Sequence, residues 1–317
     1  MLARILALAL LAPLPAAAQE TLWPEPRSSH SMAWHSGLGV VVLLGGVVEG
    51  PRGAWMWGWD GINWSVLDTV GPGDRAHFGF AYDSGRERLV LHGGFTMPGG
   101  SRGDLVPQGD TWEWDGSAWS RVTDGGPGVR DHTAMVYDPE RRVVVLFGGG
   151  RPDHTLLDDT WIWDGASWRE IEAPGPPARS THRLVWDDSR KAVLLFGGWG
   201  AEGLLADTWA WDGRAWSALS PGPSPRFASR MAYDAARGST VLYGGRGDGG
   251  DFADTWVWDG ATWSERAVQG PGPRNVHEMA YDPLRERVVL FGGYLAGETF
   301  ADLWEWDGES WEQMLPD

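Results

Sequence analysis

Ala134-Met135-Val136-Tyr137, Asp138-Pro139-Glu140-Arg141, Val143 to Phe147 and then Gly148-Gly149: this stretch, continued by Trp161-Ile162-Trp163, Asp164-Gly165 and Trp168, reads as four short strands joined by tight turns. Val143 to Phe147 is a continuous apolar run of strand length, and the glycines end it, where positive φ or a close backbone approach suits them. A period of two puts Trp161 and Trp163 on one face of the third strand. Asp164-Gly165 opens a hairpin turn, and Trp168 enters the fourth strand. No apolar period of 3.6 residues survives beyond a turn, so the expected helix content is near zero.

The unit recurs. Gly-Gly pairs stand at 45-46, 93-94, 148-149, 197-198, 244-245 and 292-293, and Trp-Asp-Gly at 59-61, 114-116, 163-165, 211-213, 258-260 and 306-308. An arginine opens every unit: Arg27, Arg75, Arg130, Arg179, Arg226 and Arg274. The units run about 27-74, 75-129, 130-178, 179-225, 226-273 and 274-317, within one domain over 19-317. Each is too small for a core of its own and must bury its faces against its neighbours, and three tryptophans per unit suit the roughly 10 Å gap between stacked sheets.

Gly-Gly after an apolar strand, an aromatic-rich third strand and a turn before a further Trp resemble kelch repeats, over about residues 27 to 315. The resemblance implies an all-β fold, a six-bladed kelch-type β-propeller of four-stranded antiparallel blades. The first unit departs from the rest. It has His35 and Leu38 where the others have pairs such as Asp83/Arg86 and Asp282/Arg285, and Trp55 where the others open the third strand with Asp110, Asp159, Asp207, Asp254 or Asp302. No strand is shared between the chain ends, so ring closure is expected from face packing, helped by Leu22-Trp23.

The chain has 317 residues, 46 Gly, 23 Trp and no Cys, with a net charge of -17. Such a surface repels phosphate backbones, so nucleic acid and membrane insertion are not expected among its partners. The absence of cysteine excludes disulfides, thiolate metal sites and a cysteine nucleophile. Residues 1-18 read as a cleaved signal peptide: Arg4, the apolar Ile5 to Leu11, then Ala16-Ala17-Ala18. The product is expected to be exported, secreted or periplasmic.

Six equivalent units provide an internal test: what occurs six times maintains the blade, and what breaks the symmetry is free to make a site. The arginines and the five strand-opening aspartates pass as structural partners. His30, His77, His132, His182 and His277 fall two or three residues after the arginine, a register that points them to opposite faces and argues against a metal ring. Four residues after each arginine stand Ser31, Gly79, Ala134, Arg183, Arg230 and Glu278, three small and three charged. On an innermost strand, as the kelch resemblance implies, Arg183, Arg230 and Glu278 meet near the channel, either to hold a carboxylate or as a salt-bridged plug. The loops after the glycines bring Phe95, Trp199, Arg246 and Tyr294 to the same face, with Arg151 beside Gly150, and such residues suit sugar rings or peptide side chains.

With no nucleophile-base-orienter set evident, the expected function is a non-catalytic binding module for a protein or glycan, with an acidic ligand favoured. The alternative is a carbohydrate-active enzyme similar to the kelch-type sialic acid epimerases, with Glu278 or His277 as acid/base and Arg183 and Arg230 gripping a carboxylate. No cofactor and no metal are expected. The copper centre of galactose oxidase needs a cysteine, and the iron motif of plant kelch specifier proteins is matched by Glu278 and Asp282 but has Glu286 in place of its histidine.

Overall fold

The computed structural model describes residues 22–48, 50, 52–97 and 105–315. The expected leader lies outside them, as does part of the long loop after Phe95. Six antiparallel sheets follow one another along the chain, each with four main strands side by side in chain order, and in four of them short two-residue strands intervene. In the third, Ala134–Asp138 pairs with Val143–Gly150, that strand with Leu156–Trp163, and that with Trp168–Ile171. The first strands are innermost: Ser31–His35, Gly79–Asp83, Ala134–Asp138, Arg183–Asp187, Arg230–Asp234 and Glu278–Asp282 touch in a closed circuit around a central channel. No helix occurs among the described residues.

The opening arginines explain why the units keep one length between arginine and glycine. Each is at most 2 % exposed, so its guanidinium must find all its partners within the protein. In every unit Nη1 donates to the carbonyl of the first glycine of the pair, at 2.9 to 3.1 Å. In five units the aspartate that opens the third strand accepts as well, as in Arg130–Asp159 at 2.8 Å and Arg226–Asp254 at 2.6 Å. The first unit, lacking that aspartate, uses Glu25 from the entering segment at 3.6 Å. That looser partner only partly offsets burial, which lowers the Arg27 pKa to about 10. The glycines also let the next unit approach: a Cβ on Gly148, at φ +58°, would stand 2.8 Å from the Arg179 carbonyl oxygen.

Tryptophans fill the space between blades. Trp57, Trp59, Trp114, Trp163, Trp211, Trp258 and Trp306 are almost wholly buried. The fourth-strand indoles reach back to the preceding blade: Trp168, Trp216, Trp263 and Trp311 donate to Thr111, Thr160, Thr208 and Thr255 at 2.9 to 3.0 Å. Trp64 and Trp119 meet blades whose third strands start with Leu303 and Met56, and their indole nitrogens are left without a partner.

Closure rests on more than face packing. Two residues after each arginine, Ser29, His77, His132, Thr181, Ala228 and Val276 all have positive φ, from 46° to 59°. In that conformation each amide donates to the carbonyl of its counterpart in the preceding blade, from His77 N to Ser29 O around to Ser29 N to Val276 O. The six bonds, 2.8 to 3.2 Å long, encircle one mouth of the channel. The ends are joined further by Arg27 N to Phe300 O and by the Trp23 indole, which donates to the Ala301 carbonyl at 2.6 Å. Trp23 also packs edge-on against Trp59 and Trp64.

Truncating Trp163, which is 1 % exposed and donates to Glu113 at 2.7 Å, is expected to cost about 3–5 kcal/mol through the cavity it leaves. Trp199→Ala, at a loop residue 48 % exposed, is expected to cost little. Urea melts of the two variants check this difference.

Candidate functional site

The sequence places Arg183, Arg230 and Glu278 near the channel, and the structure joins them across it. Glu278 is wholly buried; its Oε1 accepts from Arg183 Nη2 at 2.6 Å and its Oε2 from Arg230 Nε at 3.2 Å. The Met279 amide donates to Oε1 as well, at 3.1 Å. Burial holds the Arg230 pKa below its ordinary value, opposed by the Glu278 charge. Three charged groups thus satisfy one another and part the channel into two ends. Beside them a small, partly open pocket of about 30 Å³ is bordered by His77, His132 and His182.

The five histidines divide into two sets. His30, His182 and His277 are wedged between blades, edge-on to Phe291, Phe147 and Tyr243 at 5.5 to 5.8 Å, with no hydrogen-bond partner at either ring nitrogen. Burial, reinforced by neighbouring arginines, holds all three well below the ordinary histidine range, His182 down to about 3. They are neutral packing elements, and His277 is entirely buried. His77 and His132 instead stand at the mouth, their ring centroids 3.8 Å apart and the planes tilted by 42°. His132 Nδ1 lies 2.7 Å from Asp131 Oδ1, and both side chains are about one-third exposed. With Asp131 ionised, Nδ1 carries the proton and Nε2 is the acceptor, so the carboxylate fixes the tautomer of a partly solvated base.

Asp131 and His132 border a cavity of about 570 Å³ between the third and fourth blades, together with Arg151, His154, Ser180 and Trp199. The volume lies in the range of small-ligand sites. Trp199 is held edge-on by Phe227 at 5.8 Å, and Arg151 has no ion-pair partner among the described residues. The other loop residues singled out in the sequence are elsewhere. Phe95 and Tyr294 line a separate pocket of about 300 Å³ with Val47 and Met97, and Arg246 faces Asp251 at 3.7 Å. Among the described residues no three His, Asp or Glu side chains gather as a metal-binding set; Asp282 is paired with Arg285 at 2.8 Å.

No family model matches the chain, and no curated protein does. The solved structure of YjhT is similar, with a TM-score of 0.71 at 15 % identity, over 89 % of this chain and 95 % of that one. The fold is a β-propeller. The expectation of a non-catalytic binding module is withdrawn in favour of its alternative, which is taken up below as a proposal; at 15 % identity the likeness to YjhT itself shows the fold alone. Among the described residues Asp131 and His132 supply a histidine oriented by a carboxylate, two members of the three-part set sought in the sequence.

The wedged histidines make stability depend on pH in one direction. Below about pH 6.5 the unfolded chain takes up protons at these imidazoles that the folded chain refuses, so stability is complete above that pH and declines below it. Each contributes a slope of up to about 1.4 kcal/mol per pH unit. Urea midpoints are therefore expected to fall between pH 6.5 and 5, and His182→Phe is expected to flatten that fall.

Proposed function

We propose that the protein is an exported kelch-type propeller that acts on an acidic sugar at the mouth between its third and fourth blades, in a proton-transfer reaction similar to that of the kelch-type sialic acid epimerases. The observation that carries this reading is the 2.7 Å contact of His132 Nδ1 with Asp131 Oδ1 inside a cavity that also holds Arg151 and Trp199. Opening a sugar ring at the anomeric carbon needs no nucleophile and no cofactor. A base removes the proton of the anomeric hydroxyl, the bond from that carbon to the ring oxygen breaks, and the ring oxygen receives a proton; reclosure on the other face reverses these steps. His132 Nε2 is suited to the proton removal, with Asp131 stabilising the imidazolium that results. Arg151 is suited to a substrate carboxylate, which its guanidinium can grip in a bidentate pair. The Trp199 ring offers an apolar platform to the C–H face of the sugar.

Arg183, Arg230 and Glu278 do not line this cavity, and their mutual pairing leaves the substrate charge to Arg151.

Exchange between the α and β forms of acidic monosaccharides, followed by saturation-transfer NMR, tests the proposal. His132→Ala is expected to lower kcat by about 10²–10⁴-fold, and Asp131→Asn to lower it while leaving KM close to its starting value. Arg151→Ala is expected to raise KM for acidic sugars and to spare neutral ones. Catalysed exchange that survives His132→Ala unchanged in a folded protein would overturn the assignment.

A further inference from the structure

The opposite end of the channel holds a second chamber. Its volume is about 520 Å³, it opens on the face of the turns between first and second strands, and the Arg183–Glu278–Arg230 cluster closes it from the other mouth. Every unit contributes one ring to its wall, seven residues after the opening arginine: Trp34, Tyr82, Tyr137, Trp186, Tyr233 and Tyr281. Met32, Met135, Met231 and Met279, largely buried between the blades, also border it, and their polarisable thioethers adapt to irregular apolar shapes.

Three of the six rings have their polar atom engaged within the protein. The Tyr82 hydroxyl bonds Ser36 Oγ at 3.1 Å, and the Tyr281 hydroxyl accepts from the Ala236 amide at 3.0 Å, each across to the turn of the preceding blade. The Trp186 indole donates to Asp188 at 3.2 Å. Of the two charged residues that border the chamber, Arg183 is paired with Glu278 and Asp188 with Lys191 at 2.8 Å. The wall therefore presents ring faces and methyl groups, with the Tyr82 and Tyr281 hydroxyls turned to the preceding blades and its charges matched internally.

We propose that this chamber is a binding site for an uncharged aromatic small molecule, inserted from the turn face and stacked on the ring of aromatic side chains. The chemistry excludes a charged occupant as the preferred one, because a charge carried into the chamber would lose its water and gain no counter-charge. A flat ring, in contrast, exchanges water for aromatic and thioether contacts in edge-to-face or offset geometry. The site is independent of the loop face, from which the buried ion cluster separates it.

The test uses N-phenyl-1-naphthylamine as a neutral probe and naphthalene-1-sulfonate as its charged counterpart, with the full mature chain labelled with ¹³C at its methionine methyls. Addition of the neutral probe to the wild-type protein is expected to shift methionine methyl signals, and Met32→Leu, Met135→Leu, Met231→Leu and Met279→Leu assign them to the chamber. Filling the chamber by Val136→Phe is expected to weaken binding by about tenfold or more, equal to about 1.4 kcal/mol. His132→Ala, on the other mouth, is expected to leave it unchanged. Absence of these shifts in the wild-type protein overturns the proposal without involving any variant's fold. So does sulfonate binding as tight as that of the amine, or a folded Val136→Phe protein that binds undiminished.

Discussion

A guanidinium shut away from water, once per blade, is the constraint on which the rest of this propeller depends. An arginine at most 2 % exposed is tolerable only if most of its donors are met and a carboxylate balances its charge. Meeting them fixes the glycine carbonyl eighteen residues on and the third-strand aspartate at once. The two glycines must then adopt positive φ so that the chain can turn and the next unit can lie against them. The first unit shows how strict the requirement is: where the aspartate is replaced by Trp55, a carboxylate arrives from outside the repeat, at Glu25. A similar substitution of means appears at its turn, where the His35 imidazole accepts from the Leu38 amide at 3.2 Å in the place the other units give to an aspartate.

The parts of the fold that repeat were legible in the sequence because each repeat states the same local chemistry. Strand periods, turn residues and the tryptophan motif all point to one blade, and their sixfold recurrence points to a ring. The circle of backbone bonds at the mouth was not legible: it depends on left-handed φ at residues as different as Ser29, His77 and Val276, and no side chain announces it. Trp23, by contrast, was read as a closing element from its position before the first unit, and its indole does bind the last blade.

The site was less legible for a physical reason. Symmetry breaking singled out Arg183, Arg230 and Glu278, yet sequence spacing cannot say whether neighbouring opposite charges face a ligand or one another. In the fold they face one another. Asp131 was passed over, although the signal was present: the residue after the opening arginine is Ser28, Ala76, Asp131, Ser180, Phe227 and Asn275 in turn, and only there does a carboxylate precede a histidine. The chamber on the turn face escaped for the opposite reason. Its aromatic ring is sixfold, and a rule that assigns every sixfold feature to the scaffold overlooks what the scaffold encloses.

Each blade owns all four of its strands, and the first and last blades meet through packed faces, single hydrogen bonds and the Trp23 indole. No sheet would be severed if the chain began at another blade boundary. The circle therefore has no privileged starting point, and its topology is open to circular permutation. For the same reason, its number of blades can change by the gain or loss of a whole unit, with the cost falling on the curvature between neighbours and not on any one sheet.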